Sequence, residues 1–266
     1  MKKVLTYALA ALWILPFLVM LLTALSSKNT TSFKKLFDLS ALTLNNFRRA
    51  WTEGAFSRYF LNTVIVTFVS VVIILGVTAL AGYVMGRFEF GGKKALYRVM
   101  ILSMGIPTIF FTIPVYQLLR MLHADTSIIG LILAEIGGGH IIFLLLFANF
   151  FKSVPSELEE SAVIDGATEF DVFFKVMFPL SRPVIGTVAI TQSIWTWNSF
   201  LYPLILSVND PTIRTLSVGM YAFQGENIVD WSSMAAGACM TILPMVILFI
   251  FFQRYFINGI AGAVKG

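Results

Sequence analysis

The stretch from Leu61 to Met85 reads LNTVIVTFVSVVIILGVTALAGYVM, 25 residues without one charged side chain. A helix needs roughly 20 apolar residues to cross the hydrocarbon core of a bilayer. In lipid a non-helical backbone leaves its N–H and C=O groups unsatisfied, so a run of this kind is expected as a helix. Five further apolar runs accompany it: Val4–Leu25, Leu96–Leu119, Ile128–Phe150, Val184–Ser207 and Ala235–Phe256. The sequence predicts an all-α membrane protein in which residues 1–266 form a single domain with six transmembrane helices.

Composition agrees. Of the 266 residues 58% are hydrophobic and 12% charged, where a soluble domain carries about 25% charged residues. The mean hydropathy is +0.84. The net charge of +5 comes from basic residues in short segments between the apolar runs, which fits the positive-inside bias of membrane proteins better than nucleic-acid binding. A single cysteine, Cys239, excludes an intrachain disulfide framework. His123 and His140 have no partner at metal-ligand spacing, and HExxH, CxxC and GxSxG patterns are absent. No catalytic residue and no metal site are expected.

Six spans place both termini on one side, and Lys2 and Lys3 mark that side as the cytoplasm. The inner segments then hold 11 Lys and Arg residues and the outer ones 8. The first run is longer than the apolar region of a signal peptide, which is about 7–15 residues, and is expected as a retained helix. Pro107 and Pro114 fall in the third run, Pro203 in the fifth and Pro244 in the sixth, where kinks are expected.

The inner segment from Phe151 to Pro183 is too long for a turn. Ser156 and Glu159 have capping-box spacing, and Glu157, Glu159 and Glu160 put negative charge in a first helical turn. A helix is expected over 157–164, ended by Gly166 in the left-handed conformation. Thr168 with Asp171 starts a second helix, expected to run to Phe178 and to stop before Pro179. Phe170, Phe173, Phe174 and Met177 then form one apolar stripe at i, i+3, i+4 and i+7. Spacing alone fits equally a stripe packed beneath the chain's own helices and one that docks on a partner.

Glu160-Ser161-Ala162, Gly166 three residues on, and Val176-Met177-Phe178-Pro179 after nine more resemble the EAA motif of ABC importer permeases. The motif reads E-A-A, three residues, G, nine residues, I-x-L-P; Ser161, Val176 and Phe178 depart from it, each mildly. Asp165-Gly166-Ala167 matches the family's common D-G-A. The stretch Trp197-Asn198-Ser199-Phe200-Leu201-Tyr202-Pro203-Leu204 and the tail from Asn258 to Gly266 are similar to the maltose-type carbohydrate uptake branch, in its smaller, G-type permease subunit. The fourth run departs most, at Glu135-Ile136-Gly137-Gly138-Gly139-His140.

The resemblance implies a type I ABC importer permease fold in a bacterial plasma (inner) membrane. Its partners would be a second permease subunit, two ATPase subunits that bind ATP and Mg, an extracellular or periplasmic solute-binding protein and a sugar substrate. Glu160, Ser161, Ala162, Asp165, Gly166, Ala167 and Pro179 would build the docking turn, and Phe170, Phe173, Phe174 and Met177 its apolar face. This chain itself has no phosphate loop: around Gly91-Gly92-Lys93-Lys94 the first glycine position is Arg87, and Lys94 stands where Ser or Thr is needed.

Glu135 is the one acidic residue inside the runs, and such residues are costly in lipid and often functional. His140, five residues on, faces another side of an unbroken helix and is not paired with it. Trp195, Trp197 and Asn198 offer aromatic faces and an amide suited to a sugar, although tryptophan in a bundle is commonly packing. Gln224, Glu226 and Asn227 lie in the last outer segment, which in the family meets the binding protein. The competing readings are an ABC permease for glycerol phosphate, a polyol or an amino acid, a stand-alone secondary transporter, and a membrane scaffold.

Overall fold

The computed structural model describes residues 2–27, 42–52, 55–138, 140–223 and 229–263. The described residues are helical, with no strand beyond isolated bridges. The helices are α1 (Lys2–Leu25), α2 (Asn45–Thr52), α3 (Phe56–Arg87), α4 (Lys93–Ser103), α5 (Thr112–Met121), α6 (Ile128–Ile136) and α7 (Ile141–Ser153), followed by α8 (Glu157–Ile164), α9 (Glu169–Leu180), α10 (Arg182–Trp197), α11 (Leu201–Leu206), α12 (Leu216–Gly219) and α13 (Trp231–Ala263).

Three helices are long and apolar enough to cross a membrane: α1, α3 and α13. Three bent pairs bring the number to six if each is one span: α4 with the segment Thr108–Met121 at 98°, α6 with α7 at 53°, and α9 with α10 at 73°. The third and fourth apolar runs are therefore not straight helices. Pro107 starts the 3₁₀ turn Thr108–Phe111 that separates α4 from α5, as a residue without a backbone donor does. The fifth run, expected as one helix over Val184–Ser207, ends at Trp197 and restarts at Leu201. Asn198 donates its Nδ2 to the Ile194 carbonyl at 2.8 Å, and a continuous helix would drive the Pro203 ring into the carbonyl four residues back. Pro16 and Pro244, by contrast, sit inside unbroken helices.

The chain forms two compact units. The first holds residues 1–63 and 210–247. Its polar groups are spent on chain ends. Buried Asn46 donates its Nδ2 to the carbonyls of Ala24 and Ser26, both at 2.8 Å, which satisfies acceptors left open at the end of α1. Asn62 donates in the same way to Thr212 (2.8 Å) and Arg214 (2.9 Å), and the Thr63 hydroxyl accepts the Leu216 N–H at 2.9 Å. Asp230 caps α13 through the Ser233 N–H and pairs with Arg49 at 2.7 Å.

Asn62 is the most consequential of these groups. An Asn62→Leu chain keeps the volume but strands two carbonyls. It is expected to lose about 1–3 kcal/mol, read as a lowered thermal midpoint of the purified chain in detergent, while Asn45→Leu, on the exposed start of α2, leaves the midpoint unchanged.

The second unit holds residues 64–209 and 248–266. Here α3 packs on α7. A Cβ on Gly82 would stand 2.5 Å from Phe147 Cβ, and one on Gly86 2.7 Å from the Ala148 carbonyl oxygen. Gly82 and Gly86 form a G-x-x-x-G face that lets the two backbones meet, as small residues do between membrane helices. The core below this contact is aromatic, with Tyr83, Phe147, Phe151 and Phe173 buried together with Met177, Val184 and Val188.

Candidate functional site: the coupling loop and the broken helices

The loop between α7 and α10 is two helices joined by one glycine. At the end of α8 the Ala167 N–H reaches the Ala162 carbonyl and the Gly166 N–H reaches Val163, both at 3.0 Å, with Gly166 at φ 86°. This is a Schellman turn, and its αL position favours glycine. Ala162 and Ala167, the pair such a turn brings together, both pack on the core. Thr168 then caps α9 in a reciprocal box with Asp171. Hydrogen bonds from Lys175 and then Thr168 hold the Asp171 carboxyl down at about 2, so the cap stays ionised at any cellular pH.

Three expectations for this loop change. Ser156 makes no side-chain cap. Its expected partner Glu159 turns the other way: its Oε1 accepts from the Tyr83 hydroxyl at 2.9 Å, and its Oε2 lies 2.7 Å from Arg87 Nε. The Arg87 guanidinium also approaches the Pro155 carbonyl at 3.4 Å. A buried cation and phenol outcompete a local cap because the ion pair is shielded from water.

The second change concerns the end of α9. It does not stop before Pro179. Val172–Met177 is a π-helical turn, and the helix continues to Leu180. The wider turn frees the carbonyls that a proline ring would otherwise strike. The third change follows from the second: the apolar stripe is split. Phe173 (3% exposed) and Met177 (0%) enter the core, while Phe170 (74%) and Phe174 (54%) face outward.

Phe170 and Phe174 are exposed, and so are Leu158, Val163 and Ile164 of α8, of which Ile164 is the most exposed. The sequence reading passed over these three because α8 was judged by its charges. Glu160, Ser161, Asp165 and Gly166 are exposed, while Ala162, Ala167 and Pro179 are half-buried.

A second group lies where α6 and α10 break. Because α6 ends at Ile136, His140 turns back, and its Nε2 lies 2.9 Å from the Glu135 carbonyl oxygen. The two residues are thus joined, contrary to expectation, though not through the Glu135 carboxyl. That carboxyl hydrogen-bonds Ser199 in the second break and keeps Oε1 buried without a protein partner. Trp195 is half-exposed, its ring stacked on Phe143 at 5.1 Å. Trp197 is buried, and Asn198 is exposed, with its Nδ2 donating to the Ile194 carbonyl. Gln224, Glu226 and Asn227 lie outside the described residues. Among the described residues no cluster of three or more His, Cys, Asp or Glu side chains is placed to hold a metal.

Residues 78–261 match the family described as "Binding-protein-dependent transport system inner membrane component". The chain is 37% identical over 234 residues to the arabinooligosaccharides transport system permease protein AraQ of Halalkalibacterium halodurans, covering 87% of this chain and 82% of that one. It is 33% identical over 258 residues to the melibiose/raffinose/stachyose import permease protein MelC of Bacillus subtilis, covering 95% and 91%. In structure it resembles a chain of a bacterial ABC transporter involved in the import of the acidic polysaccharide alginate, with a TM-score of 0.82, 20% identity and coverage of 96% and 95%.

Proposed function

The chain belongs to the family of binding-protein-dependent transport system inner membrane components, and from that premise we propose how it works and on what. Residues 1–266 act as one permease domain with both termini in the cytoplasm. The chain pairs with a second permease to form the path for a sugar or oligosaccharide that a binding protein delivers from outside. The names of two relatives, one for arabinooligosaccharides and one for melibiose, raffinose and stachyose, support that substrate class. ATP and Mg bind in two separate ATPase subunits, which dock on α8 and α9.

One observation carries this reading. Five apolar side chains, Leu158, Val163, Ile164, Phe170 and Phe174, are exposed on a loop that Glu159 fastens to Tyr83 and Arg87. Exposed apolar surface of this kind marks contact sites, and the loop is the natural place for a partner to push. Closure of the ATPase pair would move α8 and α9 as a body and swing the helices behind them between inward and outward access. Within the path we assign Glu135, Trp195 and the exposed amide of Asn198 to the solute, since Trp197 is buried.

The test is co-expression with partner ATPase, permease and binding protein, comparing wild type with Gly166→Asp. At Gly166 nothing lies within 4 Å of a Cβ, so the substitution fits sterically, but its φ of 86° strains any other residue by roughly 1–2 kcal/mol. Hydrolysis stimulated by sugar-loaded binding protein is expected to fall on the order of tenfold, a coupling change of about 1.4 kcal/mol, at unchanged membrane levels of the chain. Hydrolysis that ignores the substitution, or a wild-type chain that recruits no ATPase, would overturn the docking role.

A further inference from the structure

We propose that the cavity between the end of α3, the start of α4 and the end of α7 binds the phosphate headgroup of an anionic phospholipid. The cavity has a volume of about 380 Å³, and its polar lining is Glu89, Lys93, Lys94, Arg98, Asn149 and Lys152. Four cations therefore converge with one carboxylate. That carboxylate is already used: Lys93 Nζ sits 2.9 Å from Glu89 Oε1 and also donates to the Phe88 carbonyl at 2.8 Å. Lys94, Arg98 and Lys152 have no acidic partner among the described residues. The Glu89 carboxyl is held below its ordinary range first by the Lys93 hydrogen bond and charge, with smaller pulls from Lys94 and Lys152. Lys94 and Lys152 both line the cavity, within reach of an anion bound there.

Two further features fit a phosphate. Helix α4 begins at the cavity, and its N-cap Gly92 supplies no side-chain cap to the first turn. Apart from the Lys93 N–H, which the Phe90 carbonyl accepts at 3.3 Å, the N–H groups of that turn and the positive end of the helix dipole favour an anion. Asn149 adds a neutral donor from α7.

What favours a lipid over a soluble anion is the surface running away from the cavity. Tyr97, which lines the cavity, is exposed together with Ile101 and Met104 along one side of α4 and its C-cap, at spacings of four and three. An acyl chain leaving the cavity would lie along that strip, whereas free phosphate has no use for it. The ordinary positive-inside bias scatters cations over inner segments; it does not gather three unpaired ones around a cavity that opens onto an apolar strip. Arg87 meets Pro155 and Glu159 at this end of the unit, so the cavity lies on the side of the coupling loop. On the reading above, that is the cytoplasmic leaflet, where anionic lipids draw basic pockets.

The test uses the purified full chain in detergent, mixed with dioleoylphosphatidylglycerol or dioleoylphosphatidylcholine at equal mole fraction. Retained lipid is counted by native mass spectrometry. The wild type is expected to retain phosphatidylglycerol in preference to phosphatidylcholine. Lys94→Gln combined with Lys152→Gln is expected to weaken phosphatidylglycerol retention on the order of tenfold, whereas Arg120→Gln, away from the cavity, leaves it unchanged. Both lysines are exposed, and circular dichroism checks that the double variant is folded. Inorganic phosphate at millimolar concentration is expected not to displace the lipid. The proposal is overturned if the double variant retains phosphatidylglycerol like wild type, if the two lipids are retained equally, or if inorganic phosphate displaces the lipid. The assay needs no ATPase, so its result is independent of the importer reading.

Discussion

A Gly82→Ala chain is expected to unfold at a thermal midpoint lower by at least about 5 °C than wild type, while Gly76→Ala, two turns earlier on the same helix, unfolds like wild type or slightly later. The added atom is one methyl in each case. At Gly76 it meets nothing within 4 Å, and alanine is the better helix former by about 1 kcal/mol. At Gly82 it would stand 2.5 Å from Phe147 Cβ, 2.9 Å from the Leu144 carbonyl oxygen and 3.1 Å from the Ala148 nitrogen.

Two of those three neighbours of Gly82 are backbone, which cannot rotate away, so α7 must move off α3. The residues behind the contact then lose their packing, and Phe147 and Phe151 are both fully buried. Overpacking of this kind costs about 1–3 kcal/mol, and more if the aromatic core opens. Fluorescence-detected size-exclusion chromatography after heating reads the midpoint directly. Equal midpoints for the two alanine variants would show that α3 and α7 do not meet at Gly82.

This contact also shows what was legible in the chain. The apolar runs carried the class of the fold, because backbone satisfaction in lipid leaves helices as the solution. The G-x-x-x-G at Gly82 and Gly86 was present in the same run and was passed over. A glycine pair in an apolar helix signals close approach but does not name the helix that approaches. The Schellman turn at Gly166 was readable because all its determinants are local. The fate of Glu159 was not: its competing partners, Tyr83 and Arg87, are more than 70 residues away in sequence. Neither was the split of the phenylalanine stripe, since the template of 3.6 residues per turn fails once Val172–Met177 adopts a π turn. The breaks at Ile136 and Trp197 fall at glycines, an asparagine and a proline, which mark weakness but not the fold-back that brings Glu135 to Ser199.

The second large effect is functional. A Glu159→Gln chain is expected to reach the membrane and recruit its ATPase yet to move on the order of tenfold less solute for each ATP hydrolysed. Glu159 is the point at which α8 is fastened to α3. Its side chain and that of Arg87 are 20% and 13% exposed and stand 2.7 Å apart, and Tyr83, which donates to the same carboxylate, packs its ring on Phe173 at 5.1 Å and on Phe151 at 5.5 Å. Hydrogen bonds to a charged group of this kind contribute about 1.5–3 kcal/mol. A glutamine keeps the shape and loses the charge, so the Arg87 cation remains shielded with a weaker partner.

The loop would still offer its exposed apolar side chains to a partner, but a push on them would be taken up by slack between α8 and α3 instead of turning the helices. Two controls separate this from simple instability. Arg87→Gln added to Glu159→Gln is expected to cost little more than either change alone, because both remove the same contact. Glu160→Gln alters an exposed side chain outside this contact and is expected to weaken ATPase recruitment without changing the solute moved per ATP. Reconstituted vesicles read both ratios. If Glu159→Gln moves solute as efficiently as wild type, the force reaches the membrane helices by another route, and the chain through Phe173 and Met177 into α10 becomes the one to cut.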